Sequence, residues 1–253
     1  MFDKIEHSEF MSEFFIKVEW FCAELFKSFN RSIVDEPSTV NWSSEEIAGL
    51  IILNKLLFQH IRSFFVLTRE RLSTPAFNGV RSSMEVFRLL RLYIQDESFR
   101  KEYLINPNTD FRKKKDKEFM QSVINKRLEE IEKDFKLPEG IPFAHELKNH
   151  NFTKGSNFSQ THSELSKWSH ALNVNLIFPM HTDGKAVNLS ITDECNEYSE
   201  YQIKRYTESI LVLSFYYCTM LSFVIKKEKD IILNYYEIMN DFYKEFIEKY
   251  YKF

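Results

Sequence analysis

The amino-acid sequence predicts an all-α protein, a helical bundle of roughly six to eight helices, and three observations carry that prediction. Chain breakers are scarce: 253 residues hold 5 Gly and 6 Pro, whereas an all-β chain turns about every ten residues. Apolar side chains recur at the three- and four-residue spacing of a helix along most of the chain. The apolar set is rich in bulky aromatics, 25 Phe and 12 Tyr, each able to bury a large area in a core. No internal repeat and no clean linker interrupts it. Residues 1–253 therefore read as a single all-helical domain with one irregular connection at 137–158.

Residues 3–29 carry Ile5, Phe14, Val18, Phe21, Leu25 and Phe29 on one helical stripe, and a loop with Asp35, Pro37 and Ser38 follows. Ser43 and Glu46 then make the Ser-x-x-Glu pattern of a capping box. The helix they open runs to about Leu72, with Leu53, Leu57, His60, Phe64 and Leu67 on one face. Pro75 suits the first turn of the next helix, about Pro75 to Asp96. After a break at Asn106-Pro107-Asn108 comes a charged helix, Asp110 to Lys136, with Phe111, Val123, Ile124, Leu128, Ile131 and Phe135 as its apolar positions. Leu137 to Phe158 holds Pro138, Gly140, Pro142 and Gly155 and forms the irregular connection. A helix from about Ser159 to Asn173 is next. Val174 to Phe178 and Ala186 to Thr192 flank Thr182-Asp183-Gly184, a turn signal that allows one short β-hairpin. Two long helices, about Tyr198–Lys227 and Asp230–Tyr251, end the chain.

Composition excludes several classes of function. Thirty-four basic against 37 acidic residues give a net charge of −3, so the whole chain is not steered toward nucleic acid or an anionic membrane, although a local basic patch is compatible with it. Cys22, Cys195 and Cys218 are far apart with no CxxC pair, which argues against a disulfide framework or zinc knuckle and fits a reducing compartment. The opening MFDKIEHSEF lacks the basic and apolar regions of a signal peptide. Ile210 to Ile225 is apolar but only 16 residues long, short of the ~20 a membrane span needs. We read it as a buried central helix and expect a cytoplasmic protein without a membrane partner.

The glycines stand alone at 49, 79, 140, 155 and 184, so neither GxGxxG nor a P-loop can be written. His145 and His150 are one residue too far apart for HExxH. No GxSxG elbow specifies a Ser–His–acid triad. The expectation is a protein with no metal and no cofactor.

Two stripes of polar residues remain. In THSELSKWSHALN, Thr161, Leu165, Trp168 and Leu172 form an apolar face and Glu164 with Lys167 a charged one. His162, Ser166, His170 and Asn173 form a third stripe, with Ser169 alongside, built from neutral hydrogen-bonders. Imidazoles in such a stripe suit acid–base work or phosphate binding; the same stripe also reads as an internal seam of satisfied polar groups. The second stripe, Arg81, Glu85 and Arg88 with Arg91 flanking, lies opposite Val80, Met84, Phe87, Leu90 and Ile94. It reads either as a bidentate anion site or as a surface ion-pair ladder. His60 stands among leucines and phenylalanines, as a core histidine or a ligand contact. Arg112-Lys113-Lys114-Lys115 and Lys117 read as a solvated helix start.

The order VRSSMEVFRLLRLYIQDESFRKEYL, then a charged helix, then HSELSKWSHALN, over about residues 45–180, resembles a family of uncharacterised bacterial all-helical proteins. Its marked positions are Arg81 and Glu85, an Arg-x3-Glu pattern, followed by Ser166 and His170, a Ser-x3-His pattern. Such proteins are similar to the broader HEPN and abortive-infection helical bundles, whose members cleave RNA or block growth during phage infection. The typical HEPN signature is Arg, then four to six residues, then His on one helix, and no Arg of this chain is followed by a His at that spacing. The resemblance implies a bacterial defence or toxin-like protein with a polar cleft of Arg81, Glu85, Ser166 and His170. In a metal-independent ribonuclease His170 would be the acid or base, Arg81 or Arg88 would steady the phosphate charge, and Glu85 would orient the arginine. His162, Asn173 and His60 would complete the binding surface. In the alternative, the bundle is a non-enzymatic interaction or regulatory module. RNA or a partner protein is then the expected partner, and a homodimer the expected assembly.

Overall fold

The capping box is built as the sequence encodes it. The Ser43 hydroxyl accepts from the Glu46 backbone N–H at 3.2 Å, and the Glu46 carboxylate accepts from the Ser43 N–H at 2.8 Å. The computed structural model describes residues 13–35, 41–105, 123–131, 157–169 and 197–224, together with positions 234, 237, 238, 240–242, 244, 245, 248 and 249. These residues form α1 (Phe15–Asp35), α2 (Ser44–Arg69), α3 (Ser73–Gln95), α4 (Glu97–Ile105), α5 (123–131), α6 (Asn157–Ser169) and α7 (Glu197–Val224). Helical positions between 234 and 249 make α8. Eight helices and no strand among the described residues constitute an all-α helical bundle. The β-hairpin expected over 174–192 and most of the connection expected at 137–158 lie outside the described residues.

Three boundaries differ from the sequence expectation. Helix α1 continues six residues past Phe29, and Ile33 is the reason: it is buried and extends the Phe21–Leu25–Phe29 stripe by another turn. Asn157 and Phe158 are helical rather than part of the irregular connection. Helix α4 was not separated from its neighbours by periodicity. It starts because Asp96 caps it, its carboxylate accepting from the Ser98 hydroxyl at 2.7 Å and the Phe99 N–H at 2.9 Å.

Helix α3 occupies the centre, against α2 over most of its length and against α4, α6 and α7 elsewhere. At Gly79 its backbone lies close against α2. A Cβ there would stand 2.5 Å from Ser63 Oγ and 2.8 Å from the His60 carbonyl oxygen. Only the missing side chain lets the two backbones meet this closely. Residues 70–72 connect the helices, with Arg71 in the left-handed region at φ 57° and its N–H closing onto the Thr68 carbonyl at 3.0 Å.

The main core joins α1, α2, α3, α6 and α7 and is rich in aromatics, with Phe14, Phe15, Phe64, Phe65, Phe77, Phe87, Tyr206 and Tyr216 fully or almost fully buried. A smaller cluster of Leu92, Phe99, Ile124 and Leu128 fastens α5 to α3 and α4. The apolar run beginning at Ile210 is core, as expected: Ile210, Leu211, Leu213, Met220 and Val224 are buried. By length and composition α2 is apolar enough to cross a bilayer, with a mean hydropathy of 1.4 in its most apolar window. In the fold it lies between α1 and α3, with Leu50, Leu53, Leu57, Phe64 and Phe65 in the core.

Candidate functional site

The tight crossing at Gly79 determines what faces the next two turns of α3. Arg81 and Glu85 follow Gly79 on the side that α6 covers, and His60 of α2 lies close enough for the Glu85 charge to act on it. Glu85 Oε1 accepts from Arg81 Nη2 at 2.9 Å and meets His162 Nε2 of α6 at 3.2 Å. The His162 end of one polar stripe therefore meets Arg81 and Glu85 of the other, and one carboxylate oxygen joins them. The side chains remain partly open, with 24% of Arg81, 35% of Glu85 and 26% of His162 exposed.

Three more groups complete the cluster. Ser166 sits one turn after His162, and its hydroxyl donates to the His162 carbonyl at 2.9 Å. Arg88 is half-buried, and its Nη2 donates to Asn125 Oδ1 of α5. The Nε atoms of Arg81 and Arg88 are buried and meet no acceptor among the described residues. His170 and Asn173 lie outside the described residues, so the cluster contains the expected Arg81, Glu85, Arg88, His162, Ser166 and His60 only.

Electrostatics favour an ionised carboxylate at the centre. Burial opposes the charge on Glu85, but the His162 hydrogen bond, with Arg81 and Arg88 nearby, outweighs it and holds the carboxyl below its ordinary value. Burial keeps His60 below the ordinary imidazole value, and Glu85 offsets part of that. An imidazole bonded through Nε2 to a carboxylate is fixed in orientation with its Nδ1 on the far side, the arrangement that lets a carboxylate prepare a base.

Arg91 departs from the expected arrangement. It does not flank the stripe at the surface: it is fully buried, donates from Nε to Gln95 Oε1 at 3.1 Å, and lies 5.8 Å from the Tyr216 ring centre of α7. Its position is about 80° around the helix from Arg81, toward the α7 side, so its aliphatic stem enters the core. Sequence reading also missed Asn125, for which a single Asn on a charged helix gives no signal. It assigned Glu164 to a charged face, where in fact Glu164 pairs with Arg205 at 2.8 Å and accepts from the Tyr206 hydroxyl at 3.2 Å.

Elsewhere, a cavity of about 20 Å³ lies among Cys22, Phe26, Asn54, Phe58, Ser214 and Tyr217, room for one water. Burial pushes the Cys22 thiol up to about 12, which removes it as a nucleophile near neutral pH. Among the described residues no three His, Cys, Asp or Glu side chains converge as metal ligands. No protein-family model, curated protein or solved structure matches the chain.

Proposed function

We propose that the protein acts on RNA, as a HEPN-like bacterial defence or toxin-like protein of the cytoplasm, through the cluster at the α3–α6 junction. The observation that carries this reading is the shared Glu85 oxygen, which holds a guanidinium and an imidazole side by side on a partly open surface. In this reading the oriented His162 takes the proton of a ribose 2′-hydroxyl on Nδ1. The 2′-oxygen then forms a bond to phosphorus as the bond to the 5′-oxygen breaks, and the leaving oxygen takes a proton from His170 or water. The products are a 2′,3′-cyclic phosphate and a 5′-hydroxyl end. Arg81 and Arg88 stabilise the charge gathering on the phosphate oxygens. Ser166 spends its proton on the backbone, so its role is to pack beside His162 rather than to attack. The chemistry requires no metal.

The test is incubation of the purified chain with total bacterial RNA in EDTA, beside His162→Asn and His170→Asn variants checked for fold by circular dichroism. Cleavage that falls at least 100-fold in His162→Asn supports the reading. Intact RNA with the wild-type chain removes it, and equal cleavage by all three chains removes the imidazoles.

A second reading, a non-enzymatic interaction module, draws on α1. Trp20 is 62% and Ile16 50% exposed, one turn apart on one face. Glu13 and Lys27 stand seven residues before and after Trp20 with opposite charge and largely exposed side chains. An antiparallel pairing of two α1 helices about Trp20 would bring each Glu13 to the other's Lys27, so the partner in this reading is a second copy of the chain. A Trp20→Glu variant that remains monomeric where the wild type sediments as a dimer supports it; a monomeric wild type removes it.

A further inference from the structure

Glu85 is the carboxylate on which four basic side chains from three helices converge: Arg81 and Arg88 from α3, His162 from α6, and His60 from α2. Among the described residues, the other elements packed here add no charge to it. Helix α5 contributes Asn125, which is neutral and holds Arg88. Helix α7 turns Tyr206 and Tyr216 toward Phe77 and Phe87 of α3, and its Arg205 is engaged by Glu164. With His60 neutral the group carries two guanidinium charges against one carboxylate. Protonation of His60 adds a third positive charge, and no second carboxylate among the described residues acts on it.

The donors are in surplus as well. Glu85 takes one bond from Arg81, Asn125 takes one from Arg88, and the buried Nε–H of each arginine meets no acceptor among the described residues. A buried N–H without a partner is unfavourable, and such groups in folded proteins call for an explanation. A tetrahedral oxyanion supplies acceptors in several directions and the negative charge that the cluster lacks. Seven residues, about 10.5 Å of helix rise, separate Arg81 from Arg88, and the charges of both act on Glu85 between them.

We propose that this junction is a proton-linked receptor for a compact oxyanion, of the phosphate class, which binds more tightly as His60 takes up a proton. The inference shares with the preceding reading the premise that Arg81, Glu85 and His162 form a ligand site rather than a structural clamp. Burial holds His60 below the ordinary imidazole value, so the affinity changes across mildly acidic solution. By reciprocity the bound anion favours protonation of that ring.

Sulfate is the probe of choice, because its own charge does not change over this range. Calorimetric titration of the full chain at about pH 5.5 and about pH 8, at constant ionic strength set with sodium chloride, measures the linkage without any variant. At least tenfold tighter binding at the lower pH is expected, with tenfold loss in Arg81→Gln and a flattened pH dependence in His60→Asn. Equal affinity at both pH values, or no binding at either, overturns the proposal. Displacement of sulfate by orthophosphate but not by a short oligoribonucleotide assigns the site to free anion; displacement by both assigns it to the phosphates of RNA. Because the titration needs no catalysis, intact sulfate linkage without RNA cleavage removes the nuclease reading and leaves this inference. RNA cleavage without sulfate linkage does the reverse.

Discussion

Two Glu–Arg pairs in this molecule share their chemistry and differ in everything around it. Glu46 and Arg100 join α2 to α4 by a 2.8 Å bond, with 13% and 7% of their side chains exposed. Arg100 is engaged by the protein at several points: Nε goes to Glu46, Nη1 to the Tyr93 and Ile94 carbonyls, and the guanidinium lies 4.1 Å from the Trp42 ring centre. Glu85 and Arg81 share a 2.9 Å bond but keep 35% and 24% exposed, and the Arg81 Nε remains without an acceptor among the described residues. In the first pair both Nε and Nη1 of the arginine are used inside the protein, which is what a structural lock requires. The second keeps donors in reserve, as a ligand site would. The difference teaches that donor accounting and exposure, rather than residue type, separate a clamp from a site.

The sharpest way to break that comparison is to remove Arg100. Arg100→Met leaves the Glu46 carboxylate nearly buried without its cation, for an expected loss of about 3 kcal/mol or more, read as a lower midpoint in urea unfolding. If Arg100→Met and Arg81→Met destabilise the chain equally, the distinction between lock and site fails.

Gly79 tests the scaffold beneath the second pair. Gly79→Ala gains helix propensity, about 1 kcal/mol, but places a methyl 2.8 Å from the His60 carbonyl oxygen, a backbone atom that cannot swing aside. Separation of α2 and α3 outweighs the gain, and a net loss of about 1–2 kcal/mol is expected, measured as a fall in melting temperature. An unchanged or higher melting temperature would show that the crossing does not need the glycine.

Acid unfolding sharpens the comparison further. The Arg100 hydrogen bond, then the Ser43 N–H, hold Glu46 below its ordinary 4.5, and Glu85 lies below the same value through His162 and its arginines, against burial. Asp96 lies below its ordinary 3.8: burial opposes this, but Ser98, the Phe99 N–H and Arg127 prevail. As pH falls, the unfolded chain binds these protons first. The stability they contribute is therefore complete above the ordinary values and lost as pH falls through the folded ones. Burial of His60 works in the same direction from its ordinary 6.5 downward. Stability should decline gently below about pH 6.5 and steeply below about 4.5, with the first, gentle part absent in His60→Asn. A stability curve that is flat to pH 4 would contradict these shifts.

How much of this was legible follows from where the information resides. The capping box is local, four residues whose own side chains satisfy the backbone, so Ser43 and Glu46 were readable. The stripes of α2, α3 and α7 were readable because burial repeats with the helix period. Arg91 was misread because its position lies on the border of a stripe, and only the placement of α7 decides which way its stem turns. Glu46 as the partner of Arg100 spans 54 residues, and nothing local encodes such a pair. The facing of Arg81 and Glu85 toward the His162 stripe was conceivable from two neutral-polar faces, but the register that puts Glu85 opposite His162 depends on the Gly79 crossing, a tertiary fact.

The smallest expected effect on stability belongs to Glu85→Gln, and it separates the readings most finely. Because about a third of Glu85 is exposed, water offsets the lost ion pairs and the change should be within about 1 kcal/mol. Its effect on ligands divides by mechanism. If Glu85 orients His162 for proton transfer, the amide leaves the ring less firmly held and RNA cleavage falls. If the junction is an oxyanion receptor, removal of its one negative charge makes sulfate bind more tightly, not less. A destabilisation of several kcal/mol with no change in either ligand measurement would place Glu85 with Glu46, as a second lock, and both proposals would fall together.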